Sequence, residues 1–166
     1  MELKNQWKGK INKANGGIFE SELEMVFKSL KQKGLAIIEK TPEPMKIIKS
    51  LGNGRFEAFL EKKAQPDFKG VLEYGQAIMI EAKYTSTDRI EQSRVSPGQA
   101  DYLSVCSEIG AYCFVAVRFS SGGIYLVPWE TWKKMKQLFG RKYAKETDLE
   151  CWELKLMLKS LFGGKE

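Results

Sequence analysis

Three side chains that could do chemistry together stand close to one another in the sequence: Asp67, Glu81 and Lys83. Successive side chains of a β-strand point to opposite faces, so Glu81 and Lys83 are expected on the same face of one strand. Asp67 stands at the start of the preceding predicted strand, and a hairpin that turns near Gly75 would bring it beside Glu81. Two carboxylates and an ammonium group on one face predict a site for a divalent cation such as Mg²⁺, which prefers carboxylate and water oxygens.

Such a site suits the hydrolysis of a phosphodiester. A bound metal lowers the pKa of a water molecule and polarises a phosphoryl oxygen, and Lys83 would orient the water or neutralise charge on the phosphate. The alternative is a surface salt bridge between Glu81 and Lys83 on an edge strand. The apolar run at residues 77–80 favours a central strand covered on both faces, at whose end sites commonly form.

Composition limits the other possibilities. The chain has 166 residues, 43% of them hydrophobic and 29% charged, which is typical of a single soluble globular domain. It contains no histidine, which excludes Ser-His-Asp hydrolases, His-ligated zinc enzymes and His-based nucleases. The net charge of +6 weakly indicates an anionic partner such as nucleic acid, although many proteins carry such a charge for solubility alone.

The cysteines and the apolar runs predict the compartment. Cys106, Cys113 and Cys151 form no C-x-x-C pair, which argues against a zinc ribbon or a thioredoxin-like site and is typical of reduced cytoplasmic thiols. No apolar run is long enough to span a membrane, and the N-terminus lacks the hydrophobic region of a signal peptide. We therefore expect a cytoplasmic protein with no membrane contact.

The pattern along the chain predicts an α/β domain. Residues 1–14 are polar and basic and are expected to form a flexible arm, followed by a single domain over residues 15–166. Apolar spacing predicts a helix over residues 18–33, and further helices over about 96–109, 129–139 and 148–162. Strands are expected at 35–38, 66–74, 76–83, 112–119 and 124–127, with loops at 84–95 and 140–146. Together these elements predict a central sheet with helices on its faces.

A basic β-hairpin is predicted at about residues 45–63, with its turn at Gly52-Asn53-Gly54. It carries five basic and two acidic side chains, namely Lys46, Lys49, Arg55, Lys62 and Lys63 against Glu57 and Glu61. A protruding hairpin of this charge would contact DNA phosphates without reading the base sequence. The alternative is an ordinary charged hairpin.

Four motifs in this order resemble a known family. Asn15-Gly16-Gly17-Ile18-Phe19-Glu20 is similar to the opening of the family's first helix, and Lys40-Thr41-Pro42-Glu43-Pro44 to its K-x-P-T-P stretch before a basic stalk. Asp67-Phe68-Lys69-Gly70 resembles its D-Y-x-G, and Glu81-Ala82-Lys83-Tyr84-Thr85 its E-A-K-x-T. The family is the PD-(D/E)xK nuclease superfamily, more narrowly the RecU-type Holliday-junction resolvases, with kinship to the archaeal Hjc resolvases. The likeness spans about residues 15–132.

The resemblance implies a restriction-endonuclease-like core and a set of site residues. The implied catalytic set is Glu20, Asp67, Glu81, Lys83 and Gln99, with Asp67, Glu81 and Glu20 as metal ligands. Glu20 and Gln99 depend on the resemblance alone, since the first could be a solvated helix residue and the second could merely stabilise its helix. The implied DNA contacts are Lys40, Lys46, Lys49, Arg55, Lys62, Lys63 and Lys69.

The sequence departs from the family pattern at two positions. Glu43 stands where the family has a threonine, and it would either add a carboxylate to the site or be solvated. Gly98 stands where the family has a histidine before the glutamine. A necessary role for that histidine position is therefore not expected in this chain.

The expected function is a Mg²⁺-dependent endonuclease, with Mn²⁺ as a substitute, that resolves four-way DNA junctions by paired symmetric nicks in recombination and repair. Two symmetric nicks need two sites, so we expect a homodimer, without a small-molecule cofactor, in a bacterial or phage-infected cell. The two alternatives are a restriction-like or repair endonuclease acting on linear duplex, and a non-catalytic module that binds junctions.

Overall fold

A computed structural model describes residues 2–60 and 65–163. In chain order the helices and strands are α1 (Glu2–Gln32), β1 (Ala36–Lys40), β2 (Met45–Gly52), β3 (Arg55–Leu60), β4 (Phe68–Leu72), β5 (Ala77–Thr85), β6 (Arg89–Glu91), α2 (Pro97–Glu108), β7 (Tyr112–Phe119), β8 (Ile124–Pro128), α3 (Trp129–Lys133), α4 (Met135–Phe139), β9 (Tyr143–Lys145) and α5 (Leu154–Phe162). The described part of the chain holds no helix long and apolar enough to cross a membrane.

A five-stranded mixed sheet forms the centre of the molecule, in the order β1-β4-β5-β7-β8. β5 and β7 pair in parallel, and the other neighbours in this sheet pair antiparallel. A parallel pair needs a crossover, which α2 supplies between β5 and β7. The predicted class, an α/β fold with a central mixed sheet flanked by helices, is confirmed.

Two apolar layers cover the faces of this sheet. One contains Phe19, Leu23 and Phe27 of α1 packed on Phe68 and Ile80, with α5 against the same layer. Phe27 meets Phe68 edge to face, with ring centroids 5.2 Å apart. The other layer, beneath α2 and α3, is built from the following buried side chains: Leu103, Val115, Val117, Trp129 and Trp132. β5 is therefore a central strand covered on both faces, as the apolar run predicted.

The first helix is longer than predicted. It begins at Glu2 rather than at residue 18, so residues 2–14, the segment predicted as a flexible arm, are helical. Gly16 and Gly17 lie inside the helix, where each glycine costs about 1 kcal/mol relative to alanine. Such a cost lowers helix propensity but does not forbid the helix, which the packing of Phe19 and Leu23 anchors.

The C-terminal part also differs from the prediction. The last helix begins at Leu154 rather than near residue 148, because residues 146–148 and 150–152 form 3₁₀ turns instead. Asp148 accepts the backbone N–H of Lys145 at 2.7 Å, so its carboxylate closes a turn and does not cap the helix. The predicted loop at 140–146 contains β9, which pairs antiparallel with β6 from the predicted loop at 84–95. The predicted helix at 129–139 divides into α3 and α4 at Lys134.

The predicted hairpin is confirmed for the described residues. β2 and β3 pair antiparallel as a separate two-stranded sheet, and every residue from 45 to 59 is exposed. The turn runs through Gly52, Asn53 and Gly54, all with positive φ, which is the conformation that glycine and asparagine tolerate. Lys62, Lys63 and Glu61 lie outside the described residues.

Candidate active site

The pairing of β4 with β5 brings the predicted carboxylates together. Phe68 pairs with Ile80, so Asp67, one residue before β4, lies at the level of Glu81. The carboxylate of Asp67 is fixed there, because its Oδ2 accepts the backbone N–H of Ala82 at 2.8 Å. The predicted hairpin between these two segments is confirmed, and it places Asp67 beside the middle of a central strand.

Glu81 is held in a fixed orientation by two donors. Lys83 Nζ lies 2.6 Å from Glu81 Oε1, and the Gln99 side-chain amide donates to the same oxygen at 2.5 Å. Glu81 is 0% exposed, and its second oxygen, Oε2, is buried without a hydrogen-bond donor from any residue that the structure describes. The alternative of a surface salt bridge on an edge strand is wrong, since β5 is central and this ion pair is buried.

Gln99 reaches the site because the start of α2 holds it there. Ser96 is the N-cap of α2, and its hydroxyl accepts the backbone N–H of Gln99. The side-chain oxygen of Gln99 accepts in return from the Ser96 backbone N–H at 3.0 Å, which completes a capping box. Lys83 Nζ also lies 3.4 Å from that oxygen. Gln99 therefore stabilises its helix and also contacts Glu81.

Burial and mutual repulsion make the ionised carboxylates costly. Burial first, and the Asp67 carboxylate second, raise the pKa of Glu81 to about 7 against the opposing effect of the Lys83 ammonium. The pKa of Asp67 is also raised, first by burial and in part by Glu20, against the N–H of Ala82 and the charge of Lys83. A nearby cation would relieve both effects, because it favours the ionised form of each group.

Glu20 lies at the margin of this site. Its Oε2 is 2.8 Å from Lys40 Nζ, and this hydrogen bond is the largest cause of the raised pKa of Lys40. Lys40 is also 3.7 Å from Glu24. Among the described residues, no group of three or more histidine, cysteine, aspartate and glutamate side chains could hold a metal ion. The structure thus brings Asp67 and Glu81 together and leaves Glu20 paired with a lysine, near enough to influence Asp67.

The residues present fit a hard divalent cation. Asp67 and Glu81 offer carboxylate oxygens, which Mg²⁺ and Mn²⁺ prefer. None of the described residues gives the buried Oε2 of Glu81 the hydrogen-bond donor that a buried acceptor normally has. Mg²⁺ commonly binds through one or two protein carboxylates and keeps water or substrate oxygens in its other positions. Two fixed carboxylates therefore suffice for such a site.

The predicted DNA contacts lie at several places on the surface. Lys46, Lys49 and Arg55 are exposed on the hairpin. Lys69 is exposed on β4, where its ammonium donates to the side-chain oxygen of Gln65 at 3.3 Å. Glu43 is exposed in the segment before the hairpin, which agrees with the solvated reading.

Sequence reasoning missed two arginine contacts near the site. Arg118 of β7 forms an ion pair with Glu22 of α1, which ties the first helix to the sheet. Arg94 lies two residues before the Ser96 cap and donates to the backbone carbonyl of Tyr84 at 3.1 Å. A basic residue just before a helix that carries a candidate site residue was the available signal for Arg94.

A solved structure resembles this fold. The Hjc Holliday junction resolvase from Archaeoglobus fulgidus, an archaeal hyperthermophile, superposes with a TM-score of 0.50 at 14% sequence identity, covering 81% of this chain and 94% of that one. That likeness supports the restriction-endonuclease-like fold that the sequence motifs implied.

Sequence comparison gives a higher identity with a second resolvase than with the Hjc protein. The Holliday junction resolvase RecU of Streptococcus sanguinis (strain SK36) is 30% identical over 128 residues, which are 72% of this chain. The chain spans 64% of the length of that relative. The family model described as RecU, Recombination protein U, matches residues 14–160, nearly the whole of the described chain, and confirms the family that the motifs indicated. The chain therefore belongs to the RecU family.

Proposed function

We propose that this protein is a divalent-metal-dependent endonuclease that cuts four-way DNA junctions during recombination and repair. The observation that carries the proposal is the cluster in the middle of β5, where Asp67 and Glu81 converge and Lys83 contacts Glu81 at 2.6 Å. Membership of the RecU family supports the choice of DNA as substrate, and the name of the Streptococcus relative supports the four-way junction.

Each residue of the cluster has a distinct task in this proposal. Asp67 and Glu81 would hold Mg²⁺, or Mn²⁺ in its place, and the bound ion supplies Lewis-acid chemistry that activates water and stabilises phosphoryl charge. Lys83 and Gln99 both donate to Oε1 of Glu81, which fixes the carboxylate and leaves Oε2 for the cation. The remaining N–H groups of Lys83 orient the attacking water or neutralise charge on the cleaved phosphate.

Glu20 and Lys40 have supporting tasks in the proposal. Glu20 would assist the metal site from the side of α1, since its charge already acts on the pKa of Asp67. Lys40, with about half of its side chain exposed, would contact the DNA backbone. An approaching phosphate would compete for Lys40 and leave Glu20 free to turn towards the two carboxylates.

The exposed hairpin would engage the junction. Lys46, Lys49 and Arg55, with Lys62 and Lys63 beyond the described strand, would contact phosphates in the sequence-independent mode. Lys69 would add a contact from β4. Two copies of the chain would supply the two sites for symmetric nicks and two hairpins for the open centre of the junction. This activity belongs in the cytoplasm of a bacterial or phage-infected cell.

The test uses a labelled synthetic four-way junction and a linear duplex with the same arms, incubated with Mg²⁺ or with EDTA and resolved on a denaturing gel. The proposal predicts paired symmetric nicks in the junction that need Mg²⁺ and are absent from the duplex. Mn²⁺ in place of Mg²⁺ should preserve the nicks. The oligomeric state is measured on the same preparation by light scattering, with a dimer as the expected result.

The alternatives have different outcomes in this assay. Equal cutting of junction and duplex would replace the junction with a broader substrate, as in a restriction-like or repair endonuclease. Tight junction binding without nicks in any divalent ion would replace catalysis with a binding role and make Glu81 and Lys83 a structural ion pair.

A further inference from the structure

A polar cavity lies directly beyond the carboxylate cluster on β5. It measures about 290 Å³, and its lining includes Thr85, Thr87, Arg89, Glu91 and Arg94. Side chains alternate along a strand, so Thr85 lies on the same face as Glu81 and Lys83, next in the row. At about 3.3 Å per residue, Thr85 lies about 7 Å along β5 from Lys83, which is comparable to the distance between neighbouring phosphates of one DNA strand, and about 13 Å from Glu81.

The wall of the cavity opposite β5 is also connected to the carboxylate cluster, through the start of α2. Arg94 lies in the turn that precedes the Ser96 cap, and the same cap holds Gln99 against Glu81. The two walls are joined, because one guanidinium nitrogen of Arg94 donates to the backbone carbonyl of Tyr84 at 3.1 Å. The position of Arg94 relative to the carboxylates is therefore fixed through both β5 and α2.

Among the residues that the structure describes, no acidic side chain neutralises the charge of Arg94. Within residues 2–60 and 65–163, no carboxylate forms an ion pair with it, and its single hydrogen bond leaves most of its N–H groups available. Arg89 differs, because its Nε lies 3.0 Å from Glu91 and its guanidinium stacks 4.8 Å from the centre of the Tyr143 ring. Arg94 is thus the available cation of the cavity, and Arg89 is a partly neutralised neighbour.

The threonines act as a frame for this cavity rather than as its donors. The hydroxyls of Thr85 and Thr87 lie 3.0 Å apart, and each donates to the backbone carbonyl of Arg89, at 2.9 and 2.8 Å. These bonds fix the start of β6, which carries Arg89, against the end of β5. What the cavity offers a ligand is therefore positive charge in a rigid polar setting, which suits a phosphate.

We infer that this cavity binds a phosphate that neighbours the one being cleaved, and that Arg94 is the positioning residue that holds it. The inference rests on the proposed function for the identity of the DNA strand. Holding the neighbouring phosphate would fix the register of the strand over Asp67 and Glu81, and misplacement by about an ångström is enough to slow a phosphoryl-transfer step severely.

The first test measures junction binding in EDTA, where no cleavage occurs, as a function of salt. Removal of one phosphate contact lowers the slope of log affinity against log salt by about 0.9. We expect this change for Arg94→Gln and not for Lys159→Gln, a matched loss of one exposed positive charge on α5. Arg94→Lys should keep the slope. Equal slopes for Arg94→Gln and the wild type would overturn the inference, and thermal unfolding of each variant controls for folding.

The second test uses junctions with one neutral methylphosphonate, placed in turn on either side of the mapped cleavage position. At one of these positions the wild type should lose about tenfold in single-turnover rate, and Arg94→Gln should lose no more than about twofold further. Independent, multiplicative losses at both positions would contradict the inference. Absence of any cleavage by the wild type would instead remove the proposed function, and the salt slope would then decide the phosphate contact by itself.

Discussion

The carboxylate cluster in the middle of β5 and the β2–β3 hairpin both carry charge, but the first is buried and the second is exposed. Glu81 has no exposed surface, and the side chains of Lys83 and Gln99 both donate hydrogen bonds to it. Lys46 and Lys49, in contrast, are exposed to solvent on a two-stranded sheet. Buried charge is costly unless it is paired, so the cluster is suited to a cation at a defined place. An exposed charge has little desolvation cost, and its side chain is not held in one position. The hairpin lysines are therefore suited to contacts with many similar phosphates.

The two faces of the hairpin sharpen this contrast. Directly paired residues share a face, so Met45, Ile47, Phe56 and Ala58 lie on one face of the ribbon, and Lys46 shares the other with Phe59. The face opposite the lysines is therefore largely apolar. No other part of the described chain covers either face. A two-stranded ribbon is marginal by itself in water, so its order depends on what it contacts.

The largest expected effect comes from removing a carboxylate of the cluster. Asp67→Asn should lower junction cleavage by roughly a thousandfold and leave junction binding within a few fold, because the change removes a cation ligand and not a DNA contact. Single-turnover cleavage and gel-shift affinity, measured separately, test this. The matched control is Asp101→Asn, an exposed position on α2, with cleavage near the wild-type rate. Cleavage by Asp67→Asn at the wild-type rate would remove Asp67 from the site.

Changes in the hairpin should instead weaken DNA binding and leave the cleavage rate nearly unchanged. Replacing Lys46, Lys49 and Arg55 together by glutamine should weaken junction binding roughly a hundredfold and lower the salt slope by about 3, with less than a threefold change in cleavage rate at saturating protein. The control replaces Lys136, Lys155 and Lys159, three exposed cations on α4 and α5. Equal loss of affinity in both triple variants would mean that only net charge matters.

The pH dependence of stability tests the cost of the buried carboxylates without DNA. Glu81 binds its proton more tightly in the folded state, with a pKa of about 7 against 4.5, so the free energy of unfolding falls as pH rises through this interval. The metal-free protein should lose roughly 2–3 kcal/mol between pH 5 and pH 8. Chemical denaturation at each pH measures this loss. Glu81→Gln should flatten the profile, and Mg²⁺ should restore stability at pH 8; an unchanged slope in Glu81→Gln would contradict the assignment.

The smallest expected effect concerns Gln99, whose helix-capping contact with Ser96 and contact with Glu81 can be tested separately. Ser96→Ala and Gln99→Ala both break the capping box and should each lower the free energy of unfolding by about 1 kcal/mol. Only Gln99→Ala removes the donor to Glu81, so it alone should slow cleavage by about tenfold. Identical cleavage rates in the two variants would reduce Gln99 to a helix cap.

The sequence predicted the centre of the site because its geometry is local. Asp67 and Glu81 belong to adjacent strands joined by a turn at Gly75, so strand alternation and the position of the turn suffice to place them together. The start of α2 was equally accessible, since the Ser96-Pro97 signal depends only on neighbouring residues.

What the sequence did not predict depends on distant contacts. β9 pairs with β6, which lies far away in the chain. The sequence of residues 140–146 alone does not indicate this pairing. The same holds for the contact of Arg94 with Tyr84 and of Gln99 with Glu81, which need the packing of α2 against the sheet. The early start of α1 was missed for another reason, since Gly16-Gly17 is a weak breaker that a well-anchored helix overrides.

The central claim is that Asp67 and Glu81 form one cation site in each chain. The most direct measurement titrates Mn²⁺ into the protein without DNA and follows the free ion by electron paramagnetic resonance. We predict one site per chain in the wild type, lost in both Asp67→Asn and Glu81→Gln and retained in Asp101→Asn. Equal Mn²⁺ binding by the wild type and both site variants would contradict the claim and leave the buried carboxylates as a structural pair.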